Sequence, residues 1–348
     1  MAPGVKPLRR LQFGPETTNG TAVTATARMR FNGGMLSDDR EVTFPEELVG
    51  IMGGTDRAFT AKIAASLEIA ETPITPEQLP YLLAMLYGGP KTGTADGSGS
   101  SGYKYVTTIP TTAQPTNNYS YTVEGGDSFE VERINYGKVT KLTLKGSAAT
   151  GCTMSASMIG QQVARLGTSF TSTTIAAVND LVFAGSRLYL DAVGGTIGTT
   201  AISNQFLGFE ITLEGMWIPK YTGEGSTSGA VWGFVVYTGQ KITGKITLEN
   251  DTAADGSTGL KALFRALTPR LMRIDTLGDA YATAGTSTTF TGGRKGLRID
   301  LPIKISKVPP IEDQDGNDTV TFEFESRYNA TAATAGSITV CNEVSALP

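Results

Sequence analysis

Apolar and polar residues alternate along most of the chain, which predicts a protein built mainly from β-strands. In residues 61–70 the odd-numbered side chains are apolar, while Lys62, Ser66 and Glu68 lie on the opposite face. Residues 241–249 alternate in the same way. Further strands are predicted at about 129–145, 152–163, 296–307 and 319–328.

Two short stretches have helical spacing instead. Each places apolar residues three and four positions apart, so that they form one stripe on a helix, and each ends at glycine or proline. The stripes consist of Leu79, Leu82, Leu83 and Leu86, and of Leu260, Leu263, Phe264 and Leu267. We therefore predict two short helices, each packed on a sheet.

A constant offset in residue number links the two halves of the chain. It carries Leu67-Glu68 onto Leu248-Glu249 (248 − 67 = 181), Gly34-Met35 onto Gly215-Met216, and one leucine stripe onto the other. A slip of one residue would exchange the two faces of a strand, so the preserved Leu-Glu order supports duplication of one unit. We predict two tandem β sandwich or barrel domains, residues 1–185 and 186–348, each with one short flanking helix and a long hairpin loop.

The composition gives little support for catalysis. Hydrophobic residues make up 40% of the chain and charged residues 18%, and a net charge of −4 is too small to indicate a nucleic-acid-binding patch. Histidine, the commonest general base and metal ligand, is absent. Cys152 and Cys341 are expected to be free thiols. We predict no catalytic residue, no metal and no cofactor.

Short motif matches do not change this interpretation. Residues 97–102 fit the dinucleotide pattern G-x-G-x-x-G, but strand-like residues rather than a helix follow them. The acidic stretch 312–318 is interpreted as a hairpin tip, with a cation site as the alternative. Residues 1–12 lack the apolar segment of a signal peptide, and no stretch reaches the about 20 apolar residues of a membrane helix. Cytoplasmic synthesis without membrane insertion is therefore expected.

Two long loops, residues 37–57 and 218–238, contain apolar side chains that a free loop would expose at a cost. A neighbouring subunit that covers them would remove this cost. The alternative is a hairpin folded back on its own domain. The candidate inter-subunit residues are Glu41, Phe44, Leu48, Ile51, Tyr221, Val231, Trp232 and Phe234.

Several stretches resemble one protein family. They are residues 14–23 (GPETTNGTAV), the passage from Leu67-Glu68 to residues 77–83 (EQLPYLL), Gly194-Gly195-Thr196, the strand 297–307, and residues 340–344 (VCNEV). In these features the chain resembles the major tail tube proteins of long-tailed, non-contractile bacteriophages. The similarity extends over essentially the whole chain, although no single motif is diagnostic.

This resemblance implies a structural virion protein whose rings stack into a tail tube, through which double-stranded DNA passes without specific binding. The implied partners are other copies of the chain, the tape-measure protein, and tail terminator or tip proteins. The implied location is the virion tail, after assembly in the host bacterial cytoplasm. Two domains per chain suggest a trimeric ring with pseudo-sixfold symmetry, and a homohexamer is the alternative.

Sliding DNA requires a lumen that binds phosphate poorly, so polar and acidic strand faces are expected to line it. The candidates are Ser66, Glu68, Thr247, Glu249, Thr321, Glu323 and Glu325. An outward, solvated face is the alternative for these residues. The competing function is a capsid decoration or other virion adhesin module that forms no tube. A glycan-active enzyme would need two carboxylates in one cleft.

Overall fold

The computed structural model describes residues 6–54, 56–127, 129–167, 169–171, 173–223, 230–251, 257–314 and 316–348. Within these ranges it contains 19 β-strands and two α-helices, α1 (Leu79–Tyr87) and α2 (Ser257–Arg265). The strands are β1 (Arg10–Pro15), β2 (Ala27–Met29), β3 (Asn32–Thr43), β4 (Phe59–Pro73), β5 (Thr94–Ala95), β6 (Tyr103–Thr108), β7 (Tyr121–Gly126), β8 (Val131–Ser147), β9 (Thr153–Gly160), β10 (Val163–Gly167), β11 (Ser186–Ala192), β12 (Ala201–Ile202), β13 (Phe206–Lys220), β14 (Phe234–Glu249), β15 (Arg270–Ala280), β16 (Arg294–Lys307), β17 (Glu312–Gln314), β18 (Asn317–Ser326) and β19 (Ser337–Asn342).

The prediction of a mainly β protein is confirmed. The alternating stretches 61–70 and 241–249 lie within β4 and β14, and the other four predicted strands correspond to β8, β9, β16 and β18. Residues 97–102 form a loop that leads into β6, as expected. The acidic stretch 312–318 forms the hairpin β17–β18, apart from residue 315, which lies outside the described residues.

The same succession of antiparallel pairings occurs twice along the chain. In the first half it runs β2–β1–β7–β8–β9–β4–β3. In the second half it runs β12–β11–β15–β16–β18–β14–β13. The strands β10 and β19 also take matching places, beside β8 and β16. Each helix follows the corresponding strand, β4 or β14.

The constant offset holds only for part of this pattern. It separates Ala64 on β4 from Lys245 on β14 (245 − 64 = 181), but their partners Asp39 and Glu210 are closer in number (210 − 39 = 171). The predicted match between the two Gly-Met dipeptides is therefore wrong, because it does not relate equivalent positions on β3 and β13. The helices do not keep the offset either, because α1 ends at Tyr87 and α2 at Arg265 (265 − 87 = 178).

Two further pairings join the halves. The second part of β8 pairs with β13, from Lys141 opposite Glu214 to Ser147 opposite Gly208, and β19 pairs with β6. The result is an eight-stranded antiparallel sheet in the order β3–β4–β9–β8–β13–β14–β18–β16, which we call the long sheet. One hydrophobic cluster contains residues of both halves. The division into domains at residues 185 and 186 stays a prediction.

Helix α1 is buried on all sides rather than flanking a sheet. All nine of its residues are buried, and it ends at Gly88 in the left-handed conformation, with φ 70°. The Gly88 N–H donates to the carbonyl oxygen of Ala84 at 3.1 Å. Trp217 of β13 donates its Nε1–H to the carbonyl oxygen of Leu86 at 2.9 Å. The second half of the chain thus satisfies one of the last carbonyl groups of this helix.

Helix α2 is more exposed than α1. Leu260 is buried, and Leu263 and Phe264 are partly buried against the core. Leu267 was predicted to continue the stripe, but it lies beyond the helix, has a φ of 52° and is 58% exposed. The prediction for Leu267 is therefore wrong, because the helix ends at Arg265.

Candidate assembly and lumen surfaces

One face of the long sheet is polar. Directly opposed residues of neighbouring strands point to the same face, so their side chains form rows across the sheet. The rows are Glu68, Ser157, Lys141, Glu214 and Lys241; then Ser155, Thr143, Thr212, Thr243 and Glu325; then Thr153, Lys145, Glu210, Lys245 and Glu323. Lysine and glutamate therefore alternate from strand to strand.

All the predicted lumen residues lie on this polar face, two of them on β4 and the others on the adjacent strands β14 and β18. Glu68 accepts a hydrogen bond from the Ser157 hydroxyl at 2.7 Å, and the hydroxyl oxygens of Thr247 and Thr321 lie 3.0 Å apart. The complete set is Ser66, Glu68, Thr247, Glu249, Thr321, Glu323 and Glu325. That this face lines a lumen stays a prediction.

The predicted lumen set leaves out the lysines on the same face. Lys145 and Lys245 lie on either side of Glu210, with Nζ–O distances of 4.0 and 3.1 Å, and Lys307 lies 3.1 Å from Glu323. These pairs are partly exposed, so each stabilises the fold by only about 0–1 kcal/mol. Their main effect is local neutralisation. The signal was present in the sequence, as lysine or glutamate at every fourth residue of β8, β13 and β14.

Both margins of the long sheet have a free edge within the described residues. At one margin β3 pairs only with β4, and at the other β17 and the end of β16 beyond Ile303 pair only with β18. Such edges are templates for the addition of another strand. The strand β3 carries Asp39 and Glu41, and the end of β16 carries Lys304 and Lys307, whereas β17 at the same margin as β16 carries Glu312 and Asp313.

The loop between β3 and β4 has the most exposed apolar side chains of the described chain. It begins at Phe44 rather than at residue 37, because β3 extends to Thr43, and Glu41 is therefore a strand residue. Relative exposures reach 71% for Phe44, 108% for Leu48 and 65% for Ile51. These three predicted inter-subunit residues are thus open to solvent in the isolated chain, where their exposure is unfavourable.

The connection between β13 and β14 differs from this loop. Trp232 is fully buried, and its Nε1–H donates to the carbonyl oxygen of Gly160 at 3.2 Å. Its ring also packs on Tyr136, with the ring centroids 4.6 Å apart. Contrary to the expectation, Trp232 therefore belongs to the core of its own chain. The alternative of a folded-back hairpin describes this segment, which packs on the first half of the same chain.

The other residues predicted in this connection are partly accessible. Tyr221 is 37% exposed and donates its hydroxyl to the carbonyl oxygen of Ile63 at 3.3 Å, and Phe234 is 47% exposed. Val231 is partly buried and forms an isolated bridge with Ile63. The remainder of the predicted loop, residues 224–229, lies outside the described residues.

A buried carboxylate fastens the loops of the two halves together. Asp96 is fully buried and accepts hydrogen bonds from the hydroxyl groups of Tyr281, Ser287, Thr288 and Thr289 at 2.5–3.1 Å. Burial by itself would raise the pKa of Asp96, but these donors outweigh it, and the pKa lies below its usual value. These hydrogen bonds give Asp96 a structural role rather than that of one member of a catalytic carboxylate pair.

A buried lysine lies where the two halves meet. The Lys138 ammonium group donates to the carbonyl oxygen of Tyr119 and lies 4.3 Å from the centre of the Trp217 ring. Burial lowers the pKa of Lys138 to about 7, a shift that nearby Glu16 opposes. This group therefore links stability to pH.

The contribution of Lys138 to the free energy of unfolding is expected to rise with pH between about 7 and 10.5, because the unfolded chain binds this proton more tightly than the folded chain. Buried tyrosines and cysteines with raised pKa values oppose it at high pH, so the slope is compared between the original chain and the variant. Lys138→Met should remove this dependence, which amounts to a few kcal/mol at most. Urea unfolding at pH 7, 8.5 and 10 measures it. Lys220→Met, at an exposed position of β13, is the control and should keep the original slope. An unchanged slope in Lys138→Met would contradict the assignment.

The described residues thus form an extended sheet with a polar face and two free edges, to which another strand can add. A sequence model of the phage tail tube protein family matches residues 8–338. The chain therefore belongs to the phage tail tube protein family, and its role is structural, as a component of the virion tail. No match was found among the curated proteins.

Neither helix in the described ranges is long and apolar enough to cross a membrane. Across the same residues, no group of three or more histidine, cysteine, aspartate or glutamate side chains is arranged to hold a metal ion.

Proposed function

We propose that the long sheets of several copies join edge to edge into a closed cylinder, and that these rings stack into the tube that double-stranded DNA traverses. The observation that carries this proposal is the long sheet, which has eight antiparallel strands and a free edge at each margin. An even number of alternating strands makes β16 of one copy antiparallel to β3 of the next. Closure then leaves no exposed edge.

The junction between β8 and β13 is a template for the contact between copies. In the repeated succession of pairings, β16 matches β8 and β3 matches β13. Inside the chain, Lys141 and Lys145 lie opposite Glu214 and Glu210. The two margins offer the same combination, lysines on β16 and acids on β3. This similarity supports a ring of six nearly equivalent halves and hence a trimer, with a homohexamer as the alternative.

The polar face would line the lumen. Its glutamates repel phosphate, and Lys145, Lys245 and Lys307 are already paired with them, so these lysines add little affinity for DNA through counterion release. Ser66, Thr247 and Thr321 add uncharged polar surface. Before the DNA, the tape-measure protein would occupy the same channel, and terminator or tip proteins would bind the tube ends. Assembly would take place in the host bacterial cytoplasm.

Electron microscopy of the purified protein tests the proposal. Hollow tubes whose rings average to threefold symmetry, with six similar lobes, are the expected result. Sixfold symmetry of whole chains would select the homohexamer. Discrete solid particles would instead favour a capsid decoration or adhesin module and would overturn the tube assignment.

Charge exchange at the margins provides a sharper test. Asp39→Lys with Glu41→Lys should lower the yield of rings and tubes by about tenfold or more, because like charges then meet at the junction. Adding Lys304→Glu and Lys307→Glu to the same chain should restore assembly. Light scattering and microscopy measure the yield. If the four-substitution variant assembles no better than the two-substitution variant, the pairing of β3 with β16 is wrong.

A further inference from the structure

We infer that Phe44 and the apolar loop that follows it, residues 44–52, cover the exposed end of helix α2 in the neighbouring copy of the same ring. This inference rests on the proposed function. It gives a second contact between copies, in addition to the proposed pairing of the sheet margins.

The two helices occupy matching places, but their ends differ in exposure. Leu86, in the last turn of α1, is fully buried, whereas Leu267, two residues beyond the end of α2, is 58% exposed. The second half of the chain covers α1. Tyr87 donates its hydroxyl to the carbonyl oxygen of Glu214 at 3.2 Å, and the indole of Trp217 donates to that of Leu86. Leu267, at the end of α2, remains open to solvent.

The repeated pairings identify the segment that would cover α2. Thr43 and Gly215 occupy matching places, because the constant offset separates their partners Phe59 and Gln240 (240 − 59 = 181). In the second half, Trp217, two residues after Gly215, contacts α1, while Met216 between them is 43% exposed. In the first half, the residue that follows Thr43 is Phe44, whose ring is 71% exposed. Phe44 therefore begins the segment equivalent to the one that covers α1.

Because β3 lies at a margin of the long sheet, the segment that follows it would contact α2 of another copy rather than of its own chain. Within the chain β13 borders β8, so its end reaches the helix of the preceding half. The strand β3 is at a margin of the long sheet and has no preceding half in its own chain. In a closed ring, the half at that margin is the second half of the neighbouring copy, which contains α2.

The chemistry of the two surfaces is compatible. On the loop, Leu48 and Met52 are 108% and 109% exposed. Just beyond the helix, Leu267 is exposed, and its N–H donates to the carbonyl oxygen of the partly buried Phe264. The charges are opposite, with exposed Glu46 on the loop and exposed Arg265 at the end of α2. Contact would remove apolar surface from water on both sides.

Cysteine cross-linking tests the contact. Leu267→Cys is combined with Phe44→Cys in one variant and with Leu48→Cys in another, and the assembled protein is oxidised. The native thiols of Cys152 and Cys341 give a low background, because both are buried and burial raises their pKa to about 11. Leu267→Cys with Val182→Cys is the control; Val182 is 50% exposed but lies beside Gly151, at the opposite end of the long sheet.

The expected result is at least tenfold more disulfide in one of the two test variants than in the control. Covalent species should end at the number of chains in one ring, because the contact closes within the ring. Tubes that form without cross-linking above the control would overturn this inference and leave the proposed function standing. Covalent ladders longer than one ring would also overturn it, since they place the contact between rings. If the unmodified protein forms no rings or tubes, the proposed function fails first.

Discussion

Trp217→Ala is expected to lower the free energy of unfolding by about 3–5 kcal/mol, because it removes a large buried side chain where the two halves meet. The Trp217 ring packs on Tyr237, with centroids 5.0 Å apart, and is only 5% exposed. Its Nε1–H also supplies the donor to the carbonyl oxygen of Leu86. The substitution therefore opens a cavity and leaves a buried acceptor without its partner.

Two variants separate these contributions. Trp217→Phe keeps most of the packing but loses the N–H donor, so a loss of about 1–3 kcal/mol is expected. Met216→Ala, at the neighbouring residue, changes a side chain that is 43% exposed and should alter stability by about 0.5 kcal/mol or less. Denaturant unfolding of all three variants gives the comparison. A loss below about 1 kcal/mol for Trp217→Ala would show that the halves do not depend on this residue.

Shortening the loop between β3 and β4 is expected to abolish tubes without unfolding the subunit. Replacing residues 46–56 by a short glycine-rich turn removes the most exposed apolar side chains, whose loss costs the isolated chain little. It also removes the segment that would bind a neighbouring copy. The melting temperature should stay within a few degrees of the original, while the tube yield falls by about 100-fold or more.

The connection between β13 and β14 provides the contrast. From sequence alone, truncation of residues 38–56 or of residues 219–236 is expected to leave a folded subunit that cannot polymerise. The buried indole of Trp232 changes that expectation, since deleting residues 222–233 would remove a core side chain and should destabilise the chain by several kcal/mol. Circular dichroism and microscopy distinguish the outcomes. Normal tubes from the first deletion, or an unaltered melting temperature from the second, would contradict these roles.

Much of the architecture follows from local patterns. Period-two alternation identified β4, β8, β9, β14, β16 and β18, because a half-buried strand needs apolar residues on one face only. The same alternation placed Glu68 and Glu323 on a polar face, although the predicted lumen set left out their lysine neighbours. Leucine spacing located both helices. These features depend on residues close in sequence, so periodicity detects them.

The sequence by itself determined the six strands just named, the approximate positions of the two helices and the polar side of β4, β14 and β18, since backbone geometry fixes which neighbouring side chains share a face. Only the tertiary structure decided which strands are adjacent, which residues α1 packs against, and that Trp232 is buried while Leu48 is exposed. Trp232 and Leu48 both lie in apolar hairpin connections, and nothing local distinguishes them. The difference arises because a preceding half of the same chain lies beside β13, while β3 is at the margin of the sheet.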